Sequence, residues 1–202
     1  MKINVFSFVP GVKVNVSQPG PEDIDVTIVK ESQRRLGEAK PGDEVEIGGR
    51  KYIVLEHLEH FTAVISADFV TTMKFGESGD YRESAVRKFL NREFLKELAD
   101  AVGAENIPYH DVNLMADDGT GKDISCRDYV SLLTTDRYRK YREFLPGCGK
   151  WWWLATRVSA ALKDYSRGVC CVDSGGTLSW DDCDYGSGVR PFFFLNSSIF
   201  IS

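Results

Sequence analysis

The chain is predicted to fold as an α+β domain, on three observations. Apolar and polar residues alternate through the first third, one central segment carries a clear helical repeat, and nothing after Trp151 has a helical period. Strands, then helices, then a loop-rich sheet keep the two kinds of element apart, unlike the alternating pattern of a parallel α/β sheet.

The elements follow in order. Val12, Val14 and Val16 alternate before Pro19-Gly20-Pro21, a strong chain breaker. Ile24, Val26 and Ile28 alternate again, and a polar stretch runs on to Lys40. Residues 1–41 are therefore read as an N-terminal arm or strand segment, and 42–202 as the main domain. Pro41-Gly42-Asp43 is a turn. Val45 and Ile47, the pair Gly48-Gly49, and then Tyr52 to Leu55 spell a β-hairpin with glycine at its tip. Residues 61–70 form a third strand, with Thr62, Val64 and Ser66 on one face and Ala63, Ile65 and Ala67 on the other.

Asp80 to Val102 is the clearest helix. Val86, Phe89, Leu90, Phe94, Leu95 and Leu98 recur at helical spacing, and Gly103 supplies the stop. Residues 113–127 are polar and turn-rich. A second helix is expected over 128–145, with Tyr129, Leu132, Leu133, Tyr138 and Tyr141 as its less polar positions and Pro146-Gly147 as its end. Beyond Trp151, short apolar pieces at 169–172, 192–195 and 199–201 are separated by glycine and aspartate. They predict short strands joined by long loops.

Bulk properties narrow the function. With 43% hydrophobic and 27% charged residues, the 202-residue chain has an ordinary globular composition. A net charge of -5 argues against nucleic acid, whose phosphates demand an excess of lysine and arginine. The basic stretch 137–142 reads as a solvated helix face. No segment approaches the roughly 18 apolar residues of a membrane span, and the N-terminus lacks the pattern of a signal peptide. The expected location is cytoplasmic or virion-associated. Five cysteines, odd in number and without repeated spacing, read as free thiols in a reducing compartment.

Several motifs occur in a fixed order: 48–55 (Gly-Gly-Arg-Lys-Tyr-Ile-Val-Leu), 86–95 (Val-Arg-Lys-Phe-Leu-Asn-Arg-Glu-Phe-Leu), Trp151-Trp152-Trp153-Leu154, 172–178 (Val-Asp-Ser-Gly-Gly-Thr-Leu) and Gly188-Val189-Arg190-Pro191. This ordered set, over roughly residues 42–196, resembles a bacterial and phage domain family of uncharacterised function with "WWLRSP" and "GVRPAL" segments. That family is similar in turn to the C-type-lectin-like fold of formylglycine-generating enzymes and retroelement variable proteins. The resemblance implies helices packed on a twisted antiparallel sheet, a closing Gly-Val-Arg-Pro strand that locks the core, and a binding face made by the loops before it. Where the family has Arg-Ser-Pro after the tryptophans, this chain has Ala155-Thr156-Arg157.

The chemistry of individual residues points the same way. Neighbours in a strand alternate faces, so Trp151 and Trp153 share one side and Trp152 takes the other; at least one ring lines a groove or a second core layer. Arg190, between Val189 and Pro191, is read as a buried structural arginine. Cys170, Cys171 and Cys183 do not reproduce the cysteine pair of formylglycine-generating enzymes, and no basic neighbour in sequence lowers a thiol pKa. Trp180-Asp181-Asp182 with Asp184 is similar to the calcium ligands of sugar-binding C-type lectins. The partner loop of those lectins is missing, so no cofactor is expected in preference to calcium. His57, His60 and His110 do not form a metal set.

The stretch 163–187 stands out as too polar for core and too aromatic for a passive linker. Tyrosine, serine, glycine and aspartate are the residues of adaptable binding surfaces. The expected ligand contacts are Tyr165, Asp173, Trp180, Asp181, Asp182, Asp184 and Tyr185. The expected function is non-enzymatic recognition of a protein or glycan ligand, in a phage-encoded or retroelement-diversified setting. Two alternatives stand beside it: an oxidoreductase related to formylglycine-generating enzymes, and a virion component or intracellular inhibitor that assembles through residues 1–40.

Overall fold

The computed structural model describes residues 12–17, 20, 25–30 and 34–201. The expectations for Ile24 and for the first eleven residues lie outside them. The alternating valines do pair: β1 (Val12–Ser17) and β2 (Asp25–Lys30) run antiparallel, with Val14 opposite Ile28 and Val16 opposite Val26. After β3 (Arg34–Arg35) comes the expected hairpin, β4 (Glu44–Ile47) and β5 (Arg50–His57). Gly48 and Gly49 adopt φ of 59° and 76°, the two adjacent positive values that a tight hairpin turn demands and that only glycine adopts cheaply.

The expected third strand is shorter than its sequence pattern. β6 (Phe61–Ser66) ends at Ser66, and a separate strand, β7 (Thr71–Lys74), follows. Residues 62–66 are buried on both faces, which is why polar Thr62 and Ser66 gave a misleading amphipathic pattern.

The central helix begins later than Asp80. Asp80 caps a 3₁₀ turn, Tyr81–Glu83, and the Ser84 side chain then accepts from Arg87 N at 3.0 Å to start α1 (Ala85–Phe89). A π turn (Leu90–Phe94) joins it to α2 (Leu95–Val102). The buried positions Val86, Leu90, Phe94 and Leu98 fall every fourth residue. In a regular α-helix that stride drifts by about 40° per step. The wider π turn takes up the drift and keeps all four on the core side.

The segment after the helix departs most from expectation. The polar stretch is flanked by paired strands, β8 (His110–Asn113) and β9 (Ser125–Asp128), and β10 (Val130–Ser131) follows. The second helix is only α3 (Thr135–Tyr141), capped by Thr134, rather than 128–145. Tertiary partners hold residues 128–131 extended. Arg87 binds both oxygens of Asp128, at 2.6 to 3.0 Å. The Asn91 amide donates to Val130 O at 2.8 Å, while its oxygen accepts from Tyr129 N and Val130 N.

Apart from a 3₁₀ turn at Lys163–Tyr165, the last third is strand and loop, as its lack of helical period predicts: β11 (Trp152–Arg157), β12 (Gly168–Val172), β13 (Leu178–Asp182), β14 (Gly186–Val189), β15 (Phe192–Asn196) and β16 (Phe200–Ile201). The chain is thus α+β and mostly sheet. One five-stranded sheet runs β10-β15-β6-β5-β4 and the other β13-β12-β11-β14-β7. All their pairings are antiparallel except β11 with β14, which lie parallel. Among the described residues, no helix is long and apolar enough to cross a membrane.

Adjacent aromatic residues divide between two cores. Trp153 and Phe193 join the core under α1 and α2, with Tyr52, Phe75 and Phe94. Trp152, Phe192 and Phe194 join a second core with Tyr138 and Tyr141 of α3. Each large side chain so buried contributes roughly 1.5–3 kcal/mol. The central strands of both sheets are therefore covered on both sides, and runs of consecutive bulky residues there are required rather than tolerated.

Candidate ligand-binding surface

β11 is the spine of the second sheet and organises the candidate surface. Trp152 and Trp153 are buried on opposite faces, while Trp151, one residue before the strand, is 41% exposed. Of the two expected outcomes, a groove or a second core layer, both occur: Trp152 enters the second core and Trp151 lines a surface cleft. The Trp151 carbonyl accepts from Gly188 N at 2.9 Å, which ties the triplet to the closing Gly188-Val189-Arg190-Pro191 segment. Arg190 is buried; its Nε donates to Ser66 O at 3.0 Å, and its guanidinium lies 4.9 Å over the Trp152 ring. It binds backbone and an aromatic face, as a structural arginine does.

The 163–187 stretch is not uniformly surface. β12 is buried along its whole length, with Cys170 on the Trp152 side and Cys171 on the Trp153 side. Cys183 and Ser187 are buried too. This corrects the view of the whole ribbon as too polar for core: cysteine packs as a small apolar residue. Burial raises the Cys170 and Cys171 thiols to about 12 and pushes Cys183 up as well. Thiols so suppressed present little thiolate at neutral pH.

The seven expected contact residues separate into four settings. Asp173 stabilises its own turn: its Oδ1 accepts from Gly175 N and Thr177 N, both at 2.8 Å. That turn is pinned to α3, because Tyr138 Oη donates to Gly176 O at 2.6 Å. Asp182 and Asp184 flank Arg167, which donates to Asp182 at 2.9 and 3.1 Å and also binds Asp184. Hydrogen bonding from Arg167 holds the Asp182 carboxyl below the usual carboxylate range.

Oxygen and sulfur ligand atoms of Asp182, Cys183 and Asp184 lie within 4.8 Å of one another. The Arg167 guanidinium already supplies the positive charge between the two carboxylates, and a buried neutral thiol is a poor calcium ligand. The group is an ion-paired cluster that braces the β13–β14 turn.

Tyr165 and Trp180 form the third setting. Their rings meet edge to face at 5.8 Å, 39% and 53% exposed, on the solvent side of edge strand β13. The fourth is an open cleft of about 540 Å³ lined by Asp181 and Tyr185, together with Phe69, Thr72, Lys150 and Trp151. Gly149, Gly186 and Gly188 line it as well. A Cβ on Gly188 would lie 2.7 Å from the Phe69 ring, so glycine there lets Phe69 lie against the strand.

Sequence reasoning missed Phe69, Thr72, Lys150 and Arg167. Phe69 and Thr72 reach the site only through pairing of β7 with β14, which local pattern does not reveal. Trp151 was findable, since a triplet in which two rings fill opposite faces leaves the outer one to the end of the strand.

His57 and His110 are structural. His57 bridges Ala39 O and the Thr62 hydroxyl, at 2.6 and 2.9 Å. His110 bonds Ser131 Oγ at 2.8 Å and packs between Phe192 and Phe194; burial lowers its pKa to about 3. The chain matches no family model, no curated protein and no solved structure.

Proposed function

We propose that this chain is a non-enzymatic recognition protein of C-type-lectin-like fold, which presents the outer face of its last third to a protein or glycan ligand. The observation that carries this reading is the exposure of Trp151, Tyr165, Trp180 and Tyr185 around one rigid sheet whose other large rings are buried. Aromatic rings held at a surface contribute large contact area at small entropic cost, which suits them to binding. The buried closing segment with Arg190 supports the lectin-like comparison. Suppression of the three C-terminal thiols weighs against an oxidoreductase that works through them.

Retroelement diversification, if it operates, is confined by burial. Tyr165, Ser166, Ser174 and Tyr185 are exposed and free to vary, whereas Cys170, Cys171, Cys183 and Ser187 are core. A template repeat beside a reverse-transcriptase gene is the genomic observation that decides it, and finding neither removes the idea.

The main test is capture of a host partner by wild type and by a Tyr165→Ala/Trp180→Ala/Tyr185→Ala variant. Loss of capture with an unchanged melting temperature is the expected result; equal recovery overturns the reading. The assembly alternative is favoured by one observation, that β1 and β2 pair with each other and with no other described strand. Deleting residues 1–33 then abolishes assembly while the remaining domain keeps its melting transition.

A further inference from the structure

We infer that the cleft between Trp151 and Tyr185 is a saccharide subsite that takes a neutral pyranoside. The inference rests on the recognition reading above and names the chemistry of one part of that surface.

Three features of the cleft lead to this ligand class. Trp151 and Tyr185, 41% and 62% exposed, line one concavity. Neither stacks on another ring among the described residues, unlike Tyr165 and Trp180, which are engaged with each other. The Asp181 carboxylate has only one partner among the described residues, the backbone N–H of Asp182 at 2.9 Å, so acceptor capacity remains. Lys150 also lines the cleft and makes no ion pair among the described residues, leaving its three donors available.

A pyranoside is the ligand that uses all three. Its C–H face covers an aromatic ring, and its rim hydroxyls donate to a carboxylate while accepting from an ammonium group. The volume, about 540 Å³, lies inside the range of roughly 300–1,000 Å³ typical of small-molecule sites. Rival ligand classes fit less well. A quaternary ammonium group needs a tight cage of rings around a point charge, and Lys150 opposes any cation. An apolar peptide side chain leaves Asp181 and Lys150 without a role, and burying them unpaired is costly.

Phe69 and Thr72 also line the cleft, and the Phe69 ring lies against Gly188. The Trp151 main chain is tied to the closing segment because its carbonyl takes the Gly188 N–H, which fixes the point from which the ring projects.

The test uses the full chain and a defined panel: methyl glucosides, galactosides, mannosides and N-acetylglucosaminides, with their β-1,4- and α-1,4-linked disaccharides. Saturation-transfer NMR and tryptophan fluorescence report binding. The expected result is saturable binding of at least one panel member, weakened at least tenfold by Trp151→Ala and by Asp181→Asn. Tyr109→Ala, at an exposed ring that does not line the cleft, should change it less than twofold. Absence of binding across the panel, or binding that Trp151→Ala leaves intact, overturns the inference; so does choline competing better than any sugar. Partner capture through Tyr165 and Trp180 is measured on the same proteins. Capture that persists without saccharide binding sinks the subsite alone, whereas loss of neither function in the triple alanine variant sinks the recognition reading.

Discussion

The Arg190 guanidinium lies 4.9 Å over the Trp152 ring while its Nε donates to Ser66 O at 3.0 Å. One side chain thereby joins the spine of the second sheet to β6 of the first. The contact couples the two sheets where the closing segment passes between them, and it holds the strand end from which the Trp151 cleft projects.

Arg190→Ala is expected to lower unfolding free energy by about 2–4 kcal/mol, through the cavity left on Trp152 and the lost donor to Ser66. Arg190→Lys should recover little, because a lysine has no planar group to stack and no Nε–H at that position. Urea denaturation of the two variants measures both effects.

The tryptophan triplet should split by energy as it does by burial. Trp153→Ala removes a fully buried ring and should cost about 3–5 kcal/mol. Trp151→Ala, at the cleft, should stay within about 1 kcal/mol of wild type. Chemical denaturation of the two variants side by side separates framework from surface.

His110 makes stability depend on pH. Its folded pKa, lowered to about 3 by burial with further repulsion from Arg137 and a smaller opposing pull from Asp111, lies below the unfolded value of about 6.5. The unfolded state therefore binds a proton first as pH falls. Stability from the neutral buried ring is complete above about pH 6.5 and declines by about 1.4 kcal/mol per unit down to about pH 3. His110→Gln should flatten that slope between pH 6 and 4, as followed by urea midpoints. Equal slopes in both proteins would remove His110 as the cause.

Thiol accessibility offers a direct check on the buried β12 strand. In native protein, Cys148 should react with a disulfide reagent well before Cys170, Cys171 and Cys183, which lie in the core. Cys126 is half-buried, and burial raises it to about 12, so it should also be slow. Mass spectrometry of protein labelled before and after urea distinguishes the groups. Rapid native labelling of Cys171 would show that β12 is not packed as described.

The turn between β12 and β13 should tolerate no side chain at Gly176. Its φ is 88°, and a Cβ there would sit 2.5 Å from an Arg142 nitrogen. Gly176→Ala is expected to cost about 1–3 kcal/mol from strain in the left-handed region and displacement of Arg142. Gly149→Ala, also at positive φ but with open space around its Cβ position, should cost less.

Taken by itself, the amino-acid order determined whatever depends on neighbours in the chain. The Gly48-Gly49 hairpin, the helical stripe from Val86 to Leu98, and the strand-and-loop character after Trp151, interrupted among the described residues by one 3₁₀ turn, are all local patterns, and all three are present. Tertiary contacts decided the rest. Asp128, Val130 and Ser131 are strand because Arg87, Asn91 and β15 hold them, although their spacing suits a helix. The same holds for the candidate surface: composition marked residues 163–187 as unusual, but only the stacking of β12 between two cores separates buried Cys170 and Cys171 from exposed Tyr165 and Trp180. Period tells which side of a strand a residue occupies. Whether that side meets water or another layer depends on partners far away in the sequence, such as Phe69 against Gly188, and no local pattern encodes them.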